Sequence, residues 1–107
     1  LQYHILYNQF FGDVFVNGEA RIGDNNILNT GCIIEHESII GSNNHISVGV
    51  IICGRVIIGN NCFIGAGTVV IDKVSICDNV ITGANSTVIS SITEPGVYVG
   101  NPAKRIK

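Results

Sequence analysis

From Ile22 onward the residues fall into sixes: IGDNNI, LNTGCI, IEHESI, IGSNNH, ISVGVI, ICGRVI, IGNNCF, IGAGTV, VIDKVS, ICDNVI, TGANST, VISSIT. An aliphatic residue opens eleven of these twelve hexads, with Thr82 the exception. Repetition on this scale marks a solenoid, in which each unit buries its apolar face only by stacking on the next. A second period of three hexads lies over the first. Gly23, Gly41 and Gly59 are 18 apart, as are Asn25, Asn43, Asn61 and Asn79, and Gly31, Gly49 and Gly67. One coil is therefore three hexads, and the expected architecture is an all-β parallel helix shaped as a triangular prism with four regular coils over residues 22–93. Residues one coil apart should stack as neighbouring parallel strands, about 4.8 Å apart.

In this register the first and fifth positions of each hexad point inward. Gly and Asn recur at the fourth because a sharp corner favours positive φ, which glycine adopts freely and asparagine better than most residues. Residues 1–21 read as a degraded first coil and bulky cap, with His4, Phe10 and Val16 at the inward position. Residues 94–107 leave the register at Pro95-Gly96 and form a tail. Ile71 and Cys77 stand where glycine is expected and Thr82 where an aliphatic is, so the last coil should be looser. The outward sixth positions include Ile27, Ile33, Ile39, Ile51, Ile57, Phe63, Val69 and Ile81, more apolar surface than a solvated sheet carries. Packing against copies of itself would cover it, and a closed trimer suits a three-sided prism.

Composition narrows the function. A net charge of −2 provides no electrostatic footprint for nucleic acid or an anionic membrane. No run approaches the about 20 apolar residues of a membrane span, so a cytoplasmic location is expected. Cys32, Cys53, Cys62 and Cys77 match neither a CxxC metal pair nor a disulfide framework and read as reduced, buried or half-buried thiols. A metal site is not expected: His36 and His45 are 9 residues apart, no HxxxxH pair occurs, and catalytic zinc needs three convergent ligands. IGAGTV resembles a phosphate loop, but no helix follows it. The chain does not open with Met, and it reads as one domain of a longer product.

His36 is the sharpest departure from the repeat. It sits at the third position of IEHESI between Glu35 and Glu37, and its equivalents on the next three coils are Gly54, Asp72 and Ser90. An imidazole at an outward corner beside carboxylates is placed to act as a general base, because a carboxylate fixes its tautomer. Gly54 above it would leave open space and a free backbone N–H able to hold an oxyanion. The competing reading is a solvated surface histidine. His45 replaces an aliphatic residue at an outward position, stacked with Phe63 and Ile81, and reads equally as a ligand-binding side chain between subunits or an interface histidine. His4 reads as structural.

The run ARIGDNNILNTGCIIEHESIIGSNNHIS, followed by IGAGTVV and closed by VYVGNPAK, resembles the acetyltransferase domain of the sialic acid O-acetyltransferase and UDP-amino-sugar N-acetyltransferase family over about residues 16 to 107. NTGxxxEH and the nine-residue gap to the second histidine are specific, whereas the hexads and GNPAK are shared among many left-handed β-helix acyltransferases. The resemblance implies a left-handed helix, a homotrimer and acetyl-CoA as co-substrate bound between neighbouring prisms, with no metal. His36 would be the catalytic base and Glu37 the acid that orients it. His45 would contact acetyl-CoA, the Gly54 backbone would hold the thioester carbonyl, and Ala66 and Ala84 would line the pantetheine groove. The acceptor would be a sugar or nucleotide-sugar amine or hydroxyl. Members usually carry an N-terminal Rossmann-like domain for the nucleotide-sugar, which these residues do not include. Two rivals remain: a non-catalytic trimeric scaffold, and a covalent route through a cysteine, which loss of activity on replacing all four thiols in a folded protein would favour.

Overall fold

The structure, a computed structural model, describes residues 7–107; His4 lies outside the described residues. Short strands, nearly all of two residues, spiral around a common axis and form three sheets of seven, five and four strands, parallel throughout except for the last strand of the first. Successive strands pass from the first sheet to the second to the third and back, so each sheet is one face of a prism. The step between paired strands is 18 residues: Ile27 pairs with His45, His45 with Phe63 and Phe63 with Ile81 on the first face. Ile33, Ile51 and Val69 follow the same step on the second face, and Arg21, Ile39, Ile57 and Ser75 on the third. No helix is long and apolar enough to cross a membrane among the described residues.

The inward positions behave as the period requires. Leu28, Ile34, Ile46, Ile52, Ile64 and Val70 at the first position are completely buried, as are Cys32, Val50, Val56 and Val80 at the fifth. Positive φ is found at the fourth position of the first eleven hexads, from Asn25 to Asn85. Three of these residues, Glu37, Arg55 and Lys73, are neither Gly nor Asn, and they stack on one edge with φ of 61, 56 and 67°.

Polar residues inside the prism were not foreseen as a group. Asn8, Asn26 and Asn44 form a buried ladder in which each Oδ1 accepts the backbone N–H one coil on, ending at Cys62 N–H 2.8 Å from Asn44 Oδ1. Their Nδ2 groups donate to the carbonyls of Gly23, Gly41 and Gly59. Both ends of each amide are satisfied, which removes the penalty of burying it. Thr82, the odd first-position residue, is handled likewise: its Oγ1 lies 3.0 Å from Thr68 Oγ1 and accepts the Gly65 N–H.

The N-terminal end follows the expected first coil, and the C-terminal end leaves the register earlier than expected. Strands at Gln9–Phe10, Phe15–Val16 and Arg21–Ile22 pair with the coil above, so residues 9–22 complete a turn of the helix. At the other end the first two faces of the last coil keep the 18-residue step, with Ile64 on Thr82 and Val70 on Val88. The third face slips. Ser91 lacks the positive φ of its equivalents, and Ile76 bridges Ile92, 16 residues on, instead of a residue 18 on. The register is thus left before Pro95. Residues 96–99 then pair in parallel with Val80–Thr82, and Lys104–Arg105 turn back antiparallel against Tyr98–Val99, so the tail closes the end of the first sheet.

Candidate functional site

His36 lies on the edge between the second and third faces, where the turn from Ile33–Ile34 to Ile39–Ile40 projects its side chain outward. Its ring stacks on Gly54 of the next coil: a Cβ built on Gly54 would meet Cε1 and Nε2 at 2.9 Å each. Nδ1 is 3.2 Å from Glu37 Oε1. An ionised carboxylate can only accept, so Nδ1 is the donor in this contact, and in the neutral ring Nε2 is then the acceptor. Glu37 projects from a left-handed corner backbone. Its Oε1 is also 3.6 Å from Arg55 Nη1, and Arg55 Nη2 is 3.4 Å from Asp72 Oδ2, so one guanidinium links the carboxylate that holds the imidazole to the carboxylate two coils on. Glu35 is engaged elsewhere, accepting from Asn17 Nδ2 at 2.6 Å.

One expectation fails. The Gly54 N–H is not free: it donates to Asp72 Oδ1 at 3.1 Å. The repeat places an aspartate directly above the glycine, and a carboxylate stacked over a corner amide with an arginine beside it takes the hydrogen bond. Asp72 was visible as an equivalent of His36, but its reach to the amide depends on a rotamer that spacing does not specify.

The structure brings His36, Glu37 and Gly54 together and sets the other expected residues apart. His45 is on the first face, opposite the His36 edge. Its ring meets Phe63 edge-on at a centroid distance of 4.9 Å, and its Nε2 is 3.4 Å from Asn29 Nδ2. A groove of about 860 Å3 runs along this face, lined by His45, Phe63, Ile81 and the corner amides of Asn25, Asn43 and Asn61. Ala66 and Ala84 lie on the edge between the first and second faces, where Asn85 N–H donates to Ala66 O. His36 and His45 therefore lie on opposite sides of one prism.

The thiol beside the site is unsuited to nucleophilic work. Cys53 precedes Gly54, and burial, then the carboxylates of Asp72 and Glu35, push its pKa up, keeping it protonated. All four cysteines are free.

Residues 55–90 match the family model described as bacterial transferase hexapeptide (six repeats). No curated protein matches the chain in sequence. Among solved structures, a His-to-Ala mutant of GDP-perosamine N-acetyl transferase from Caulobacter crescentus, in complex with CoA and GDP-perosamine, is 23% identical with a TM-score of 0.75, over 98% of this chain and 52% of its own. A maltose O-acetyltransferase from Clostridium difficile 630 is 26% identical with a TM-score of 0.77, over 92% of this chain and 68% of its own. The soybean serine acetyltransferase apoenzyme is 28% identical with a TM-score of 0.76, over 82% and 40%. The chain spans about half the length of the first of these. Its fold is that of the hexapeptide-repeat acetyl- and acyltransferases, a left-handed parallel β-helix.

Proposed function

We propose that this domain transfers an acetyl group from acetyl-CoA to an amine or hydroxyl of a sugar or nucleotide-sugar, in the manner of the sialic acid O-acetyltransferase and UDP-amino-sugar N-acetyltransferase family. The observation that carries the reading is the half-exposed His36 imidazole lying on Gly54, with Nδ1 held by Glu37 and Nε2 on the Gly54 side of the ring. Nε2 takes the proton from the acceptor nitrogen or oxygen as that atom attacks the thioester carbonyl. The tetrahedral intermediate places its negative charge near the Gly54 amide, then collapses to the acetylated sugar. The departing CoA thiolate recovers the proton from the imidazolium. The acetyl group passes directly in this reading; burial and the Asp72 and Glu35 carboxylates push the Cys53 pKa up, which disfavours a covalent route through that thiol.

The neighbours support a sugar acceptor, because two of them bear names that specify GDP-perosamine and maltose. Exposed apolar side chains on the faces, among them Ile39, Ile57, Phe63 and Ile81, support a homotrimer. In such an assembly His36 of one prism meets His45, Ala66 and Ala84 of a neighbour across the bound cofactor. Four free thiols and a CoA donor suit a reducing, cytoplasmic setting.

Binding of the donor separates this reading from a bare scaffold. Acetyl-CoA at 100 times its dissociation constant stabilises a folded protein by about 2.7 kcal/mol. A thermal unfolding transition that rises with acetyl-CoA concentration is the expected result; a transition indifferent to acetyl-CoA in a folded oligomer indicates a scaffold.

A further inference from the structure

Three consecutive amides form the edge above His36. Cys53 N–H donates to Val70 O and Arg55 N–H to His36 O, both 3.0 Å and both part of the ladder that holds one coil on the next. The Gly54 N–H alone is held by a side chain, Asp72 Oδ1 at 3.1 Å. It can therefore be released without unzipping a coil. Apart from that amide, the Asp72 side chain is held among the described residues by Arg55 at 3.4 Å, with more than half of its surface in solvent. The Asp72 backbone is seated independently, because Lys73 N–H donates to Gly54 O at 3.0 Å.

We propose that Asp72 is an internal competitor for the acyl group: its carboxylate occupies the Gly54 amide until a thioester carbonyl displaces it, and Arg55 receives the carboxylate when it swings away. This rests on the acetyl-transfer reading above. A contact of the same form occurs at another corner, where Asn60 N–H donates to Asp78 Oδ1 at 2.7 Å. That corner has no imidazole. It shows what purely structural capping looks like and provides an internal control.

The competitor affects only ligands that place an acyl thioester carbonyl on the Gly54 amide. CoA lacks the thioester oxygen but shares the phosphates and pantetheine arm, so the ratio of CoA to acetyl-CoA dissociation constants isolates the amide contact from general charge effects. We would measure both constants by titration calorimetry on the native assembly for wild type, Asp72→Asn, Asp72→Ala and Asp78→Ala. Hydrogen bonds to a charged partner stabilise by about 1.5–3 kcal/mol, or roughly tenfold or more in affinity. The ratio should rise about tenfold in Asp72→Ala and by less in Asp72→Asn, which keeps an acceptor oxygen, and stay at the wild-type value in Asp78→Ala. An unchanged ratio in Asp72→Ala, with both compounds still binding, overturns the competitor and leaves acetyl transfer standing. A rise of equal size in Asp78→Ala also overturns it. Failure of acetyl-CoA to bind any of the four proteins overturns both.

Discussion

Gly54 has ordinary φ, so its conformational freedom is not what the position uses; the missing side chain is. A methyl group there would stand 2.9 Å from two ring atoms of His36, closer than a carbon can sit. The ring is half exposed and swings outward more easily than the coil deforms. Gly54→Ala should therefore unfold within about 1 kcal/mol of wild type, since alanine also lowers the entropy of the unfolded chain. Turnover should fall about 100-fold, the scale of a 1 Å misplacement of a catalytic group. Melting curves and initial rates on the same preparation check both halves; normal turnover would show that the stacked ring is not the reacting one. At this scale the stacking of His36 beneath Gly54 was legible from the 18-residue step. The capture of the Gly54 amide by Asp72 was not, nor was the sharing of Glu37 with Arg55, because both depend on side-chain torsions.

At the scale of the coil, tolerance for polar residues inside the prism comes from pairing them along the axis. The Asn8, Asn26 and Asn44 ladder converts three buried amides into a continuous hydrogen-bonded column, and Cys62 ends it with a thiol that reaches Cys77 O at 3.2 Å. The repeated Asn at that position was present in the hexads, yet the period alone marks a position as inward without saying how a polar group there is satisfied. Corner glycines and asparagines were legible, and so was the burial of Cys32. Burial pushes the Cys32 thiol up from 9.0 to about 11, a backbone hydrogen bond opposing it weakly. Between those values the unfolded chain releases a proton that the folded chain keeps, so this contribution is complete below pH 9 and is lost as pH rises through about 11. Urea unfolding across this range should show wild type losing stability more steeply than Cys32→Ala. Parallel slopes would mean that the thiol ionises alike in both states. The slip at Ile92 escaped the sequence reading because VISSIT keeps an aliphatic opening while its corner at Ser91 is shortened.

At the scale of the whole molecule, the stack presents His36 on an edge, and a depression of about 350 Å3 bounded by Glu19, Arg21, Glu37 and Ile39 lies beside its partner Glu37. The larger groove lies on the opposite face with His45. The proposed trimer reconciles the two by bringing the edge of one prism to the face of another. The prism, its step and its apolar exterior were readable from the hexads, whereas the separation of the two histidines required the order of the faces. The central proposal is that Nε2 of His36 takes the acceptor's proton. Steady-state release of CoA from acetyl-CoA, with amino and hydroxyl sugars as acceptors, measures this in wild type and His36→Ala. General-base catalysis is worth about 10²- to 10⁴-fold, so kcat should fall by that factor while acetyl-CoA affinity holds; an undiminished kcat in His36→Ala would contradict the account.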